Sequence, residues 1–480
     1  MPLPISESRA LLFDRPPPTI ATKRPLTEFG NAERMLDKFG ASMMYVPELD
    51  KWFVWTGVYW RQAALVEIEH LAKETVRALV NEYEEHEQEA AEFFEFCRIS
   101  QQNRMVSNMV SLARSDPRVV VSVNELDKHA RLMGAQNGVI DLQTGVLLPP
   151  DPRMRITRIA GRDYVEGARC DLWLRTLFDV FSGDAELVGY FQRVMGYVCL
   201  GQPTEDIMVI PYGNGSNGKS TVFGVIRAVL GGYAKSAEAG TFVQDAKGGG
   251  GSAGGAREDL VRLRGARYVH VSEPDENSEL REGSVKSMTG GDVIPARGVY
   301  AKESVELMPT WVVFMPTNHK PIVKGGDNGI WRRLVLLPFE RNFDADPTVV
   351  KDVKREEKLL AEGQGILAWL IQGVAEYQRK GLDAPEKVRA ARAQYRSQMD
   401  LLSEWIEECC ELGEGYESTM ESLWRSWETY AKQRGILQYV RSSIALGRRL
   451  DQRFPDGKRG GKRIRMGIRI AAFGDFFRHD

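Results

Sequence analysis

The segment YGNGSNGKSTVFGVI, residues 212–226, constrains the fold of this chain more than any other stretch. It contains Gly-x-x-x-x-Gly-Lys-Ser from Gly213 to Ser220, which is the full pattern of a phosphate-binding loop. The apolar run IMVIPYG before it predicts a buried strand, and the run TVFGVIRAVLGGY after it predicts a helix that ends at a glycine pair. A strand, a glycine loop and a helix in this order predict an α/β fold built on a P-loop ATPase core.

The residue types in this loop suit the binding of ATP and Mg²⁺. Glycines let backbone N–H groups turn toward one point, and the N-terminus of the following helix adds a positive dipole. Lys219 would reach the β- and γ-phosphates, and Ser220 would hold Mg²⁺. A plain surface turn gives no reason for Lys-Ser-Thr at the start of a helix. The predicted nucleotide-binding residues are Gly213, Asn214, Gly215, Ser216, Asn217, Gly218, Lys219, Ser220 and Thr221.

Three more short apolar runs predict further buried strands: RYVHVSE at 267–273, WVVFMPTN at 311–318 and RRLVLLPF at 332–339. Helical stretches separate the apolar runs along the chain. Short apolar strands that alternate with helices indicate an α/β sheet.

Polar residues stand where two of these strands end. Glu273 is our candidate to polarise the attacking water and, with Ser220, to bind Mg²⁺. A second acid, if the site has one, is Asp275 or Glu276, although both also suit an ordinary acidic turn. Asn318 is placed to hydrogen-bond the γ-phosphate or the attacking water, or simply to form a turn.

Two arginines, Arg332 and Arg333, stand at the start of the last apolar run. An arginine donated to a neighbouring subunit's nucleotide would stabilise the charge of the transition state. Either residue also suits an ordinary ion pair, so both roles stay open, and the sequence does not choose between the two arginines.

The overall composition excludes several classes of protein. The net charge is −2, so any nucleic-acid surface must be local. Five scattered cysteines without a CxxC pair argue against a zinc site or a disulfide framework and fit a reducing cytosol. The chain contains no apolar run of about 18 residues, so we expect no membrane span and no membrane partner.

The end of the chain is basic. From Arg441 onward there are eleven Lys or Arg residues against four Asp residues. Helical patterns at 421–435 and 442–454, followed by a basic glycine turn and an alternating strand, resemble a winged helix, although a solubilising basic tail is the alternative. The candidate contacts to DNA phosphates are Arg448, Arg449, Lys458, Arg459, Lys462, Arg463 and Arg465.

Five sequence blocks follow one another across about residues 200–345: GNGSNGKST, RLRGARYVHVSEPDE, VKSMTGGDVIPARGVYAKESVELMPTW, FMPTNHKP and GGDNGIWRRLVLLPF. Their order and spacing resemble superfamily 3 helicases, specifically the phage- and plasmid-encoded primase-helicases related to the poxvirus one. The upstream blocks FGNAERMLDKFG, KWFVWTGVYWR and LMGAQNGVIDLQTGVLLPPDP resemble the helicase-associated domain of that family. The resemblance therefore covers most of the chain.

This resemblance implies an AAA+-type core that assembles as a homo-oligomeric ring, usually a hexamer, with ATP at the subunit interfaces. It also implies 3′-to-5′ translocation on single-stranded DNA. Glu273 then carries the second motif, Asn318 is the sensor, and Arg332 or Arg333 is the finger that acts on a neighbouring subunit.

The resemblance also suggests DNA contacts within the core. GGDVIPAR at 290–297 is similar to the motif special to this superfamily, and GVYAKESVEL at 298–307 is similar to the hairpin that enters the ring channel. Lys302, near the tip of that hairpin, would touch a DNA phosphate. His319 and Lys320 are weaker candidates, since their turn could be purely structural.

One departure from the family concerns primer synthesis. Only about 30 residues precede FGNAER, and they contain no acid cluster for two metals. We therefore expect no primase polymerase domain in this chain and a possible separate primase or polymerase partner. The predicted organisation is a Pro-rich tail or arm (1–28), an α+β helicase-associated domain (29–165), a helical connector (166–200), the core (201–345), a helical lid or connector (346–412) and a basic winged-helix-like domain (413–480).

Taken together, the sequence predicts a replicative DNA helicase of a phage, prophage or plasmid that acts on single-stranded and forked DNA in the cytoplasm of a bacterial host. The alternative is a DNA-binding regulatory or defence ATPase that does not unwind DNA. A DNA packaging motor fits less well, because the hairpin segment does not suit one.

Overall fold

The computed structural model describes residues 24–85, 90–244, 258–276, 278–296, 305–323, 328–346, 352–399, 401–437, 440–451 and 453–471. The helices are α1 (Glu28–Phe39), α2 (Leu65–Ala78), α3 (Ala90–Ser100), α4 (Asn103–Ala113), α5 (Asp171–Val180), α6 (Ala185–Leu200), α7 (Lys219–Leu230), α8 (Glu258–Val261), α9 (Glu282–Thr289), α10 (Asn328–Trp331), α11 (Arg355–Ala361), α12 (Gly363–Lys380), α13 (Glu386–Met399), α14 (Leu401–Cys409), α15 (Met420–Gln433) and α16 (Ser443–Leu450).

The strands are β1 (Met43–Val46), β2 (Lys51–Trp55), β3 (Trp60–Ala63), β4 (Leu132–Ala135), β5 (Gly138–Asp141), β6 (Leu147–Leu148), β7 (Met208–Tyr212), β8 (Ala234–Ala237), β9 (Val243–Gln244), β10 (Tyr268–Val271), β11 (Glu279–Leu280), β12 (Ile294–Ala296), β13 (Val305–Leu307), β14 (Val312–Phe314), β15 (Leu334–Pro338), β16 (Cys410–Thr419), β17 (Asp456–Arg459) and β18 (Lys462–Ile470). No helix in these described ranges is both long and apolar enough to cross a membrane.

The centre of the molecule is a five-stranded parallel sheet in the order β15-β7-β14-β10-β8. All its strands except β8 form from short apolar runs, because both faces of the sheet are covered and neither face requires polar residues. In β7, for example, Val209 packs into the core on one face, while Met208 and Ile210 pack into the core on the other. The predicted α/β class with a sheet of buried strands is confirmed, and β8 is an edge strand that the sequence patterns did not reveal.

The two faces of the sheet are covered by different helices. Residues of α5, α6, α7, α11 and α12 form the core on the first face. Residues of α9, α10 and the β12-β13 hairpin form the core on the second face. The segment predicted as a connector before the sheet thus shares a core with the sheet, and so do α11 and α12 of the segment predicted as a lid.

Helices α6 and α12 pack at unusually close range through two glycines. A Cβ atom added to Gly196 would lie 2.0 Å from the backbone carbon of Gly373, and one added to Gly373 would lie 2.4 Å from the Gln192 carbonyl oxygen. Since real Cβ atoms do not approach backbone this closely, only glycine allows the two helices to cross here.

The N-terminal part contains two small antiparallel sheets. The first is the three-stranded sheet β1-β2-β3, which packs with α1, α2 and α4. The second has the order β4-β5-β6, with β5 paired to both of its neighbours.

The C-terminal part is a three-stranded antiparallel sheet, β16-β18-β17, packed against α14, α15 and α16. The sequence predicted helix through residue 412, but Cys410 already pairs with Ile470 as the first residue of β16. The prediction of helix at 410–412 is wrong, because pairing with β18 overrides the local helical pattern.

Candidate functional site

The glycine loop lies between β7 and α7, as the sequence predicts. Gly215 and Gly218 have φ angles of +83° and +82°, a left-handed conformation that L side chains rarely adopt. Gly213 has no room for a side chain, because a Cβ atom there would lie 2.1 Å from the Phe339 carbonyl oxygen. The glycines at these three positions are therefore required by the shape of the loop.

Three predicted residues form one hydrogen-bonded chain at the loop. Lys219 is 7% exposed, and its Nζ donates to the Gly213 carbonyl oxygen at 2.7 Å and to Asn318 Oδ1 at 3.0 Å. The backbone N–H of Asn318 donates to Glu273 Oε1 at 2.8 Å. The ammonium, the amide and the carboxylate are thus held together by direct contacts.

The strand order explains why these residues meet. Asn318 follows β14, which lies between β7, the strand before the glycine loop, and β10, the strand before Glu273. Because all these strands are parallel, their carboxyl ends lie at one edge of the sheet, where ligands of open α/β sheets bind. Asn318 therefore stands between the lysine and the carboxylate.

A cleft of about 700 Å³ opens at this edge. Among the described residues, those that line it are Gly215, Ser216, Asn217, Gly218, Lys219, Ser220, Thr221, Phe223, Gly224, Arg227, His270, Val271, Glu273, Pro316 and Asn318. Glu273 is the single acidic side chain in this set, and two hydroxyls at the start of α7 face the same space. The volume lies within the range of ordinary small-molecule sites.

The donors at the cleft fit a hydrated Mg²⁺ ion that is held partly by phosphates. Mg²⁺ in nucleotide sites keeps several waters and uses one or two protein carboxylates or hydroxyls rather than a dedicated cage. Ser220 and Glu273 both line the cleft and supply one such oxygen group each. No cluster of three or more His, Cys, Asp or Glu side chains is found among the residues the structure describes.

Burial sets the protonation of two basic groups in the cleft. It lowers the pKa of Lys219, while the negative charge of Glu273 acts in the opposite direction. Burial, and secondarily the charge of Arg227, lowers the pKa of His270 to about 4. The imidazole is therefore neutral near pH 7, and its Nδ1 lies 3.2 Å from the hydroxyl of Tyr268.

Sequence reasoning missed His270 and Arg227 as residues that line the cleft. His270 interrupts the apolar strand β10, and an isolated polar residue in such a run is the available signal. Arg227 lies on α7 two turns after the glycine loop, on the helix face that turns toward β10, so helical periodicity from Ser220 would have found it.

The alternatives for a second acid lie away from the cleft. Asp275 and Glu276 are not among the lining residues. The Asp275 backbone carbonyl accepts hydrogen bonds from Ser278, and Glu276 lies 3.9 Å from His319 Nδ1. Of the three candidate acids, Glu273 is therefore the one that lines the cleft.

Arg332 and Arg333 differ in their surroundings. The Arg333 guanidinium is 11% exposed, pairs with Asp206 at 3.0 Å and donates to the Gly329 carbonyl oxygen at 2.9 Å. Arg332 is exposed. Arg333 is therefore a structural ion-pair residue, and Arg332 is the one whose guanidinium can reach another molecule.

Arg332 also lies far from the cleft of its own chain. It precedes β15, whose first residue Leu334 pairs with Met208 and whose last residue Pro338 pairs with Tyr212 beside the loop. Five strand residues span roughly 17 Å at about 3.3 Å per residue. The side chain therefore cannot contact a phosphate bound at the glycine loop of the same subunit.

The predicted DNA contacts in the core fall into three situations. Lys302 lies outside the described residues, although the base of its hairpin is seen where β12 pairs with β13. The Lys320 ammonium packs over the rings of Tyr212 and Tyr395 at 4.7 and 5.2 Å, and burial lowers its pKa. His319 is exposed. This turn thus presents the histidine more openly than the lysine.

The C-terminal basic residues are not equally available to DNA. Arg465 is 0% exposed, pairs with Asp451 at 2.5 Å and donates to the Gly447 carbonyl oxygen at 2.9 Å. Its guanidinium holds α16 against β18 and cannot touch a phosphate, so the prediction of Arg465 as a DNA contact is corrected to a structural role.

The other predicted residues on the β17-β18 hairpin lie on the surface with acidic neighbours. Arg463 pairs with Asp456 at 2.8 Å, Lys462 lies 3.5 Å from Glu421, and Arg459 pairs with Glu417. Lys458, Arg448 and Arg449 are exposed or half-exposed. The acidic partners reduce the positive field of the hairpin, a feature that counting charges along the sequence did not reveal.

Comparison with known proteins gives one family match and several distant relatives. Residues 32–182 match the family described as "D5 N terminal like". The protein named "Putative helicase L207/L206" of Acanthamoeba polyphaga mimivirus is 27% identical over 301 residues, which is 59% of this chain and 31% of that protein. "Putative helicase 022R" of Frog virus 3 is 27% identical over 237 residues, or 46% of this chain and 24% of that protein.

The chain thus spans about a quarter to a third of the length of these relatives. At a coarse level the matches relate it to the viral D5-type helicases and primase-helicases, which agrees with the resemblance seen in the sequence. Both relatives come from viruses whose names refer to an amoeba and a frog, so the phage or plasmid origin stays a prediction.

One solved structure is similar along nearly the whole chain. "The A form apo structure of NrS-1 C terminal region-CTR" aligns with a TM-score of 0.48 and 12% identity and covers 92% of this chain and 99% of that one. Because the TM-score is below 0.5, this likeness supports no conclusion about fold or function.

Proposed function

We propose that the chain is the motor part of a DNA replication helicase, which hydrolyses ATP in the cleft at the glycine loop. The observation that carries the proposal is the contact chain of Lys219, Asn318 and Glu273 beside a loop of full phosphate-binding pattern. The names of the viral relatives support the same kind of activity. In this proposal the substrate is single-stranded and forked DNA, along which a ring of subunits moves in the 3′-to-5′ direction.

Each residue of the contact chain has a role in this proposal. Lys219 exchanges its two protein acceptors for phosphate oxygens when a nucleotide enters, which offsets the cost of keeping an ammonium buried. Glu273 accepts a hydrogen bond from the attacking water and orients it. Asn318 keeps Glu273 in place through its backbone N–H and contacts the γ-phosphate or the water through its side chain.

Ser220 and Glu273 would hold the metal for the same step. Their oxygens would bind Mg²⁺, which would supply positive charge against the phosphates. The N-terminus of α7 adds its dipole at the same place.

Arg332 supports a ring-shaped motor. Its exposed guanidinium lies at the end of β15 remote from the cleft, so a role in hydrolysis requires the cleft of another subunit. We therefore propose a homo-oligomer, a hexamer as the resemblance implies, in which Arg332 completes the neighbour's site. Lys302 and His319 would contact single-stranded DNA, and the exposed basic residues of the C-terminal part would bind its phosphates.

The proposal is tested with the purified chain by ATP hydrolysis with and without single-stranded DNA, and by separation of a fork with a 3′ tail. Lys219→Ala should abolish hydrolysis, while Lys380→Ala, an exposed lysine on α12, should leave it unchanged. Glu273→Gln should retain ATP binding and lose about 10²- to 10⁴-fold in turnover, the usual effect of removing a catalytic base.

The outcomes separate the possible functions. Unchanged hydrolysis in Lys219→Ala would reject the cleft as the site of the reaction. Hydrolysis that responds to single-stranded DNA without any fork separation would support the regulatory or defence ATPase instead. Separation only of forks with a 5′ tail would contradict the proposed direction.

A further inference from the structure

The segment that follows β15 lies against the glycine loop. We call residues 339–346 the loop clamp. The backbone N–H of Phe343 donates to the Ser216 carbonyl oxygen at 2.8 Å, and the Ser216 hydroxyl donates to the carboxylate of Asp344. One residue of the loop is thus held by both its backbone and its side chain.

A second, buried contact fixes the base of the loop. Asn217 is 3% exposed, and its side-chain Nδ2 donates to the Phe339 carbonyl oxygen at 3.1 Å. The same oxygen is the atom that excludes a side chain at Gly213. The clamp therefore contacts the loop at its start and at its middle.

Ser216 adopts a backbone conformation that needs such support. Its φ angle is +45°, in the left-handed region that is unfavourable for a residue with a Cβ atom. The two hydrogen bonds to the clamp offset this cost and keep Ser216 in the turned conformation. The preceding residue, Gly215, receives no such support, since no atom lies within 4 Å of a Cβ atom added there.

The clamp is itself held in shape. The Asn342 side-chain oxygen accepts from the backbone N–H groups of Asp344 and Ala345 at 3.0 and 3.2 Å, a side-chain turn typical of asparagine. Arg341 pairs with Asp346 across the same turn. The carboxylate of Asp344 is therefore presented to the loop by a preformed turn rather than by a free surface side chain.

We propose that Asp344 is a positioning residue for the bound nucleotide, acting through Ser216 to keep the glycine loop in the shape that receives phosphate. This inference rests on the proposed function, because it requires a nucleotide in the cleft. The charge of Asp344 repels a phosphate, whereas its hydrogen bond to Ser216 helps to bind one. The useful property of Asp344 is therefore its acceptor oxygen and not its charge.

This distinction gives an ordered set of variants. Asp344→Ala and Ser216→Ala remove the hydrogen bond and should weaken binding of N-methylanthraniloyl-ADP about tenfold, which corresponds to about 1.4 kcal/mol. Asp344→Asn keeps an acceptor and loses the charge, so it should bind the probe as tightly as the original protein or more tightly. Ser216→Gly should fall between, because glycine tolerates the positive φ angle without the hydrogen bond.

The control is Glu340→Ala, which removes an acid from the same segment. Glu340 pairs with Lys387 at 2.9 Å on the exposed surface and makes no contact with the loop that the structure shows. It should bind the probe normally. The kcat for ATP with single-stranded DNA should stay within about twofold in the Asp344 variants and in Glu340→Ala, while KM follows the binding constants, because the step affected is uniform binding of substrate and transition state.

A double variant adds a check on the contact itself. Ser216→Ala with Asp344→Ala should bind the probe no more weakly than either single variant, because both changes remove one shared hydrogen bond. Additive losses would overturn the proposal, as would normal binding by Asp344→Ala or weak binding by Asp344→Asn. A matching fall in the melting temperature of the nucleotide-free Asp344→Ala and Asp344→Asn proteins would assign a folding role and overturn it too. Failure of the unaltered protein to bind the probe would instead remove the proposed function on which the clamp depends.

Discussion

The neutral His270 in the cleft should make the core lose stability as the pH falls. Burial against Phe223 and Tyr268, together with the charge of Arg227, lowers the pKa of His270 to about 4. In the unfolded chain the ring has its ordinary pKa of about 6.5. Between these two values the unfolded state binds more protons than the folded state, so stability is intact above about pH 6.5 and is lost as the pH falls toward 4.

The size of this effect follows from the shift. At about pH 5 the difference in proton binding corresponds to about 2 kcal/mol, taking about 1.36 kcal/mol per pH unit. The ring is only partly buried, so solvent screening reduces the expected loss to about 1 kcal/mol. For a cooperative unit of about 200 residues this lowers the melting temperature by roughly 2 to 4 °C.

The measurement compares the original protein with His270→Asn at about pH 8 and pH 5, by thermal unfolding followed with circular dichroism. Asparagine keeps a polar group beside the Tyr268 hydroxyl but does not titrate. Carboxylates throughout the protein titrate equally in both proteins, so only the difference between the two pH-dependent losses reports on His270. Equal losses would refute the reasoning, since they would show that the imidazole is not kept neutral by folding.

Three further predictions follow from contacts described above. Arg332→Ala should leave the melting temperature unchanged and remove ATP turnover. Arg333→Ala should lower the melting temperature, because it removes the ion pair with Asp206 and the hydrogen bond to the Gly329 carbonyl oxygen; the reverse pattern would exchange their roles. Gly196→Ala should lower stability by about 1 to 3 kcal/mol through a clash with the facing helix. The control is Gly189→Ala on the same helix, where an added Cβ atom would have its nearest neighbour at 3.6 Å, and this change should be neutral or stabilising by up to about 1 kcal/mol. Equal effects of the two changes in denaturant titrations would contradict the close crossing of the helices. Arg465→Ala should cost about 1 to 3 kcal/mol in the C-terminal part, because it leaves the carbonyl oxygens of Phe454 and Gly447 without their buried donor. Hydrogen exchange should then show early loss of amide protection in that part, and intact protection would contradict the structural role of Arg465.

The sequence predicted the parallel sheet and the loop because both depend on local patterns. Apolar runs of strand length and the glycine spacing are visible in one dimension, and Glu273 and Asn318 could be placed because parallel strands end at a common edge. The edge strand β8 was missed because its sequence, AKSA, carries no apolar run and pairs on one side only. Its position depends on β10, which comes later in the chain.

Contacts between distant segments could not be predicted. Nothing near Asp344 in the sequence points to Ser216, which lies 128 residues away. The burial of Arg465 likewise follows from packing of α16 on β18, whereas the sequence shows only one basic residue among several. Arg332 and Arg333 are adjacent and chemically identical. They differ only in their contacts, because Asp206 lies within ion-pair distance of Arg333.

The far end of α7 is bonded to the N-terminal part of the chain. The backbone N–H of Gly161 donates to the Val229 carbonyl oxygen at 2.8 Å, and that of Gly232 donates to the Ile159 carbonyl oxygen at 2.8 Å. A Cβ atom on Gly161 would lie 2.1 Å from the Ala228 carbonyl oxygen, so the two surfaces meet through bare backbone. For protein engineering, this means that the N-terminal part cannot simply be exchanged. A chimera that carries another protein's N-terminal domain would have to reproduce the contact at Gly161. Without that contact, the C-terminal end of α7 would lose the hydrogen bonds that hold it.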